Sequence, residues 1–319
     1  MGEVAGPGAW PTVLVIVGPT ASGKTALALS VAEDLNGEIV SADARQVYRR
    51  LDIGTAKPSP EDRSRVPHHF IDMLDPREGY TSGRFAKEAI PVLEDIVRRG
   101  RTPIVAGGSG LYVKAVIDGI FEGPEASPEI RKRWDDVWKR SGEAGLRDAL
   151  RAVDPDCERS IERGKPRRLV RALEVHELTG LTMTEHRRRQ QRDASFRFVQ
   201  IGLAPAREQL YRRIDLRSAE MIEAGLVQEV QALRRDGYDR SLNSLNTVGY
   251  REVFDFLDGG MSAERMLTLI QTHTRQYAKR QLTWFRADDR IIWLEGAGVR
   301  PVELLAERVG DILGPQKGV

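Results

Sequence analysis

Val13-Leu14-Val15-Ile16-Val17, followed at once by Gly18-Pro19-Thr20-Ala21-Ser22-Gly23-Lys24-Thr25, is the stretch from which the rest of the chain can be read. Five apolar, mostly β-branched residues between Pro11 and Gly18 have the character of a buried strand. Gly18, Gly23, Lys24 and Thr25 then match G-x-x-x-x-G-K-[ST] at every fixed position. Glycines at such positions let backbone N–H groups turn inward onto phosphate oxygens, at the positive end of the helix that follows. Lys24 adds a point charge, and the Thr25 hydroxyl is placed to ligate Mg2+. Residues Gly18 to Thr25 are therefore expected to cradle phosphate. The motif leaves open whose phosphate it is, and whether that phosphate is transferred or released.

Working outward, Thr25 to Leu35 has helical spacing and ends near Asn36-Gly37. Glu38 to Ser41 is a second short strand running into Asp43, and residues 84–99 form an amphipathic helix with Gly100 just past its end. Thr102 to Ala106 is a third strand, stopping at Gly107-Gly108. This alternation predicts an α/β fold: a P-loop-containing parallel sheet flanked by helices. Near residue 120 the strand signals give way to charged helical segments. A strand pattern returns at Phe196 to Leu203, then a long helix over 206–235, a helix over 262–285, and a short strand from Ile291 to Leu294. The expected organisation is a discontinuous P-loop core, residues 1–120 and 196–319, interrupted by a helical insertion domain at 121–195.

Composition narrows the function classes. The chain has 319 residues, 40% hydrophobic and 30% charged, as expected of a soluble globular protein. Its 49 basic and 47 acidic residues give a net charge of +2, which permits a nucleic-acid partner without demanding one. A single cysteine, Cys157, excludes a disulfide framework and a Cys-based zinc site. The N-terminal stretch has neither a basic flank nor an apolar h-region, and Gly6 stands where a myristoylation motif needs Ser or Thr. No apolar run approaches the ~20 residues of a membrane span. The expectation is a cytoplasmic protein without membrane association, and a monomer in the absence of any oligomer signal.

An ATP-hydrolysing P-loop enzyme usually carries a strand ending in a carboxylate, whereas Thr102 to Gly108 ends in glycines. The guanine-reading NKxD is also missing. The nearest strand-end acid is Asp43, inside SADARQVYRRLDIGTAKP, residues 41–58. At this point the chain resembles a known family. GPTASGKT, SADARQVY, LDIGTAKP, PHHFID, AGGSGLY, PRRLVRALEV, VGY and KRQLTWFR occur in the order seen in tRNA dimethylallyltransferases, also called tRNA isopentenyltransferases, from about residue 12 to about 295. The P-loop alone is shared with thousands of proteins, while DIGTAKP and KRQ-x-TWFR are far more specific.

The resemblance implies transfer of a dimethylallyl group from its diphosphate to N6 of adenine 37 in the tRNA anticodon loop, with tRNA and dimethylallyl diphosphate as partners and Mg2+ as cofactor. On that basis Gly18, Pro19, Thr20, Ala21, Ser22, Gly23, Lys24 and Thr25 hold the diphosphate, with Thr25 on the metal. Asp43 accepts the proton from the attacking amine, and Arg217 contacts the diphosphate, with Arg213 one turn earlier as the competing choice. The implied tRNA contacts are Asp43, Ala44, Arg45, Gln46, Ser109, Arg131, Arg167, Arg168, Leu169, Val170 and Arg171. Ala44 stands where many relatives have Ser, and Ser109 where many have Thr. The zinc-finger extension of eukaryotic members is absent, which points to the bacterial or organellar type.

Other conspicuous features read as structural. Ile130, Trp134, Val137 and Trp138 fall at helical spacing and are expected in the core of the insertion. His68-His69 lacks metal-ligand spacing, Arg187-Arg188-Arg189 reads as surface, and Trp284 is expected to pack its helix end against the sheet. Competing functions are a small-molecule P-loop kinase, a prenyltransferase of free adenine nucleotides, and a non-enzymatic RNA-binding module. The basic insertion has no use in the first two, and the intact P-loop none in the last.

Overall fold

Successive residues of the first strand, β1 (Thr12–Val17), face opposite sides of the sheet: Val13, Val15 and Val17 enter one apolar core, Leu14 and Ile16 the other. A strand buried on both faces needs an unbroken apolar run, and that is what its sequence supplies. The computed structural model describes residues 10–121, 123–189 and 196–295. The sequence-based readings of the first nine residues and of 296–319 lie outside this range.

After β1 come α1 (Lys24–Asp34), β2 (Gly37–Ser41), α2 (Pro60–Arg65), β3 (His68–His69), α3 (Ser82–Arg98), β4 (Thr102–Gly107) and α4 (Gly110–Asp118). Four helices follow: α5 (Pro128–Val153), α6 (Pro155–Ser160), α7 (Pro166–Thr179) and α8 (Met183–Arg189). The chain then returns through β5 (Arg197–Ala204), α9 (Arg207–Glu223), α10 (Leu226–Arg235), α11 (Tyr250–Leu257), α12 (Ala263–Arg286) and β6 (Ile291–Glu295). The sheet is parallel at every pairing, in the order β3-β2-β4-β1-β5-β6. The expected parallel α/β sheet is therefore present, with β1 between strands that precede and follow the helical segment.

Two expectations about the helices of the sheet domain are corrected. The single helix over 206–235 is two helices, α9 and α10, because Gly225 adopts φ 103 and interrupts them. Trp284 is 40% exposed and lies over Gly110 at the start of α4, where a Cβ would come within 2.1 Å of the indole; the helix end it sits on does not pack it against the sheet.

Helices α5 to α8 share a core of their own, built on Leu146, Leu150, Cys157, Leu169 and Leu173. Trp134 and Val137 pack against that core as expected. Ile130 is not among its members, and Trp138 is exposed. Among the described residues no helix is long and apolar enough to cross a membrane.

One strand in from the β3 edge of the sheet, buried Glu38 on β2 is ringed by Arg99, Arg101 and His69. The Arg99 guanidinium, then His69 and Arg101, hold its carboxyl down to about 2, against the opposing effect of burial. Unfolded, the group titrates near 4.5, so its stabilising effect is complete above that value and is lost as pH falls toward 2. Glu38→Gln is expected to lower unfolding stability by about 2 kcal/mol at pH 7, since the freed arginines can still reach water. Urea unfolding at pH 7 and pH 3 should show the variant's deficit shrinking at the acid end.

Candidate active site

Ligands in open parallel sheets bind outside the carboxyl ends of the strands, where the connections diverge. Here β1, β2 and β4 end on one cavity of about 310 Å³, whose walls include Thr20, Lys24, Thr25, Asp43, Arg45 and Arg217. Residues from seven of the eight quoted sequence motifs meet there, PRRLVRALEV being the exception.

The P-loop forms the floor. Gly23 takes φ 96, a left-handed conformation at the helix N-cap that glycine adopts without strain. Lys24 donates from Nζ to the Pro19 carbonyl at 2.7 Å, folding back over the loop. Burial, then the Arg217 charge, bring its ammonium down to about 8, against the pull of Asp43. Ser22 Oγ is buried and has no hydrogen-bond partner among the described residues. Arg217, whose guanidinium is likewise lowered by burial, reaches Thr20 Oγ1 at 3.4 Å, while Arg213 reaches the Ser22 carbonyl at 3.5 Å. Both arginines thus touch the loop, but only Arg217 lines the cavity.

Asp43 leaves the end of β2. Its Oδ1 accepts from the backbone N–H of Arg45 at 2.8 Å and of Gln46 at 3.3 Å, so the carboxylate also shapes the turn that carries it. Ala44 N–H donates to Ser109 Oγ at 3.0 Å, tying this turn to the one after β4. Arg45 reaches the Asn246 carbonyl at 3.5 Å. The Gln46 amide donates to the carbonyls of Thr55 and Ala56, while its oxygen accepts from Ser41 Oγ at 3.0 Å. Gln46 lines the cavity, yet its side chain is engaged in holding the 52–58 loop.

That loop is fixed from its other side by Glu229, which sequence reasoning missed. Its carboxylate accepts from the N–H groups of Asp52 (3.1 Å), Ile53 (2.8 Å) and Gly54 (3.3 Å), and from the Tyr250 hydroxyl (2.5 Å). Gly54 approaches the Tyr250 ring so closely that a Cβ would lie 2.3 Å from it. Gln281, 6% exposed on α12, was also missed. Thr20 N–H donates to its Oε1 at 2.8 Å, and its Nε2 donates to the Gly108 carbonyl at 2.8 Å. A single buried amide therefore joins the P-loop to the end of β4. It lies inside KRQLTWFR, but nothing in its local pattern distinguishes a buried glutamine from a solvated one.

The remaining predicted contacts lie in the insertion and not in the cavity. Leu169 is 0% exposed in the insertion core, and Val170 packs against that core. Leu169 is therefore corrected from an RNA-contacting side chain to a packing one. Arg131 and Arg171 both bind the carboxylate of Glu174, which is 0% exposed, and Arg171 also donates to the Pro124 carbonyl at 2.8 Å. These two arginines brace α7 against α5 and against the segment entering the insertion. Arg167 and Arg168 are exposed, as are Arg163 and Lys165.

The IPP transferase family model matches residues 46–288. A tRNA dimethylallyltransferase of Citrifermentans bemidjiense is 46% identical over 287 residues, covering 90% of this chain and 92% of that protein. Among solved structures, a tRNA isopentenylpyrophosphate transferase of Bacillus halodurans aligns with TM-score 0.69 and 36% identity over 95% of both chains. A eukaryotic dimethylallyltransferase acting on tRNA aligns with TM-score 0.79 and 27% identity, over 97% of this chain and 81% of that one. With the family model spanning most of the chain, and relatives matched nearly from end to end, the protein belongs to the IPP transferase family.

Proposed function

We propose that this protein transfers a dimethylallyl group from dimethylallyl diphosphate to N6 of adenine 37 in the tRNA anticodon loop, releasing diphosphate. The observation that carries this reading is the meeting of a phosphate cradle and a strand-end carboxylate, Lys24-Thr25 and Asp43, in one cavity with no carboxylate at the end of β4. In the reaction the bond from N6 to the allylic carbon forms as the carbon–oxygen bond to diphosphate breaks. Negative charge collects on the leaving group, where Lys24, Arg217 and free P-loop N–H groups would receive it. The amine loses its proton to Asp43, which needs only to be in reach once attack has begun.

Thr25 is exposed on the first turn of α1 and would hold Mg2+ together with diphosphate oxygens. Among the described residues no cluster of three or more His, Cys, Asp or Glu side chains could hold a metal unaided, which fits an ion that enters with the diphosphate. The ion would supply charge neutralisation at the leaving group. The exposed Arg167 and Arg168 would meet RNA phosphates, giving affinity and register, while the cavity reads the extruded base. Action on tRNA implies a cytoplasmic enzyme, and a monomer suffices because one chain supplies the whole cavity.

Incubation with dimethylallyl diphosphate and unmodified tRNA should give one dimethylallyl adenosine per anticodon loop. Product from ATP alone, or modification of AMP at rates rivalling tRNA, would overturn the reading. Gln281→Leu is expected to weaken binding of an unreactive donor analogue about tenfold, because Thr20 N–H and the Gly108 carbonyl lose their shared partner. Calorimetric titration checks this; affinity unchanged within twofold would show that the P-loop holds its shape without α12.

A further inference from the structure

Four residues of α12 line the cavity, Ile270, Thr274, Tyr277 and Gln281, at the three- and four-residue intervals that share one helix face. Ile270 and Gln281 are buried, 2% and 6% exposed, whereas Tyr277 between them is 38% exposed. A large ring left half in water on a cavity-facing stripe has apolar area still to bury. Apart from the His68 imidazole, Tyr277 is the one aromatic ring among the lining residues. No other ring stacks on it among the described residues, and the Arg280 guanidinium lies 5.8 Å from its centroid. Asp43 and Arg45 are its charged neighbours inside the cavity. Enclosure, then the Asp43 charge, push the phenol up to about 12, so the ring stays neutral at any working pH.

From this placement we infer that Tyr277 is the stacking face for the purine presented to Asp43, and so a binding residue for the acceptor base. The inference rests on the proposed function. An extruded base loses its neighbours on both sides, and a protein aromatic replaces one of them without regard to base identity. Set between the turn that carries Asp43 and the amide that anchors the P-loop, the ring would hold the purine plane while its edge faces the carboxylate. Its exposure in the free protein is then the exposure of a surface awaiting its partner.

The test uses an anticodon stem-loop RNA carrying 2-aminopurine at the target position. This base has no 6-amino group, so it binds without reacting, and its fluorescence is quenched by stacking. Saturation with the unaltered protein is expected to leave emission low, and Tyr277→Phe to restore that quenching. Tyr277→Leu is expected to raise emission severalfold and to lower kcat/KM on unmodified tRNA about tenfold. Its thermal midpoint should stay within about 2 °C of the parent, the ring being partly in water. Equal emission from all three proteins, with kcat/KM of Tyr277→Leu within twofold, would overturn the inference while leaving the function standing. Absence of transfer by the unaltered protein would instead overturn the function.

Discussion

Asp43→Asn is expected to slow single-turnover prenyl transfer by about 10²- to 10⁴-fold, the range lost when a positioned proton acceptor is removed. Asparagine keeps the one oxygen that accepts from Arg45 N–H and Gln46 N–H, so the turn after β2 should survive. Binding of tRNA is therefore expected to change by less than about threefold, within the range of an exchanged neutral hydrogen bond. Measuring both quantities on the same preparation separates the two roles of the side chain. Equal loss of binding and transfer would make Asp43 a docking residue whose carboxylate takes no proton. Asp43→Ala removes the turn contacts as well, and should lose binding in addition to rate.

Lys24→Met is expected to reduce transfer by about 10²- to 10³-fold, since it removes the cation proposed to meet the departing charge while keeping the length of the side chain. A second signature comes from protonation. With its ammonium at about 8 in the free protein, Lys24 is mostly neutral at pH 9, and an arriving diphosphate draws a proton onto it. Titration with an unreactive thiolodiphosphate donor, in buffers of different ionisation enthalpy, should show proton uptake near one half at pH 8 and approaching one at pH 9. Donor affinity should fall with rising pH above 8 and hold steady just below it. In Lys24→Met the uptake should vanish. Uptake that persists would place the titrating group elsewhere.

How much of this was legible in the sequence depends on how far apart the cooperating residues lie. The P-loop and Asp43 are each contiguous with a strand, and local pattern was enough to find them. Arg217 needed the family resemblance, because an arginine on a helix looks the same whether it faces water or Thr20. The break at Gly225 was missed because the apolar period continues through it from α9 into α10. β3 was missed because two partly buried histidines carry no alternation. Sheet order could not be read, since placing β1 between β4 and β5 depends on contacts across the whole chain.

In the insertion the arginine-rich run was read as a block. The helix period divides it: Arg167 and Arg168 face out, Leu169 faces the core, and Arg171 turns to the buried Glu174. Glu174 itself, inside a basic run, gave no sign that it would be fully enclosed.

The Gln281 bridge has a consequence for how the protein is made. Its partner Thr20 lies 261 residues earlier, so on the ribosome the phosphate cradle waits for nearly the entire polypeptide. At ~5–20 residues per second that delay is ~13–50 s, for roughly the first two-thirds of which β1 also lacks β5 on one side. The four-helix segment, with a core of its own, can settle long before the domain it interrupts. A nascent chain would thus acquire the exposed arginines of its insertion first and the braced form of its P-loop almost last.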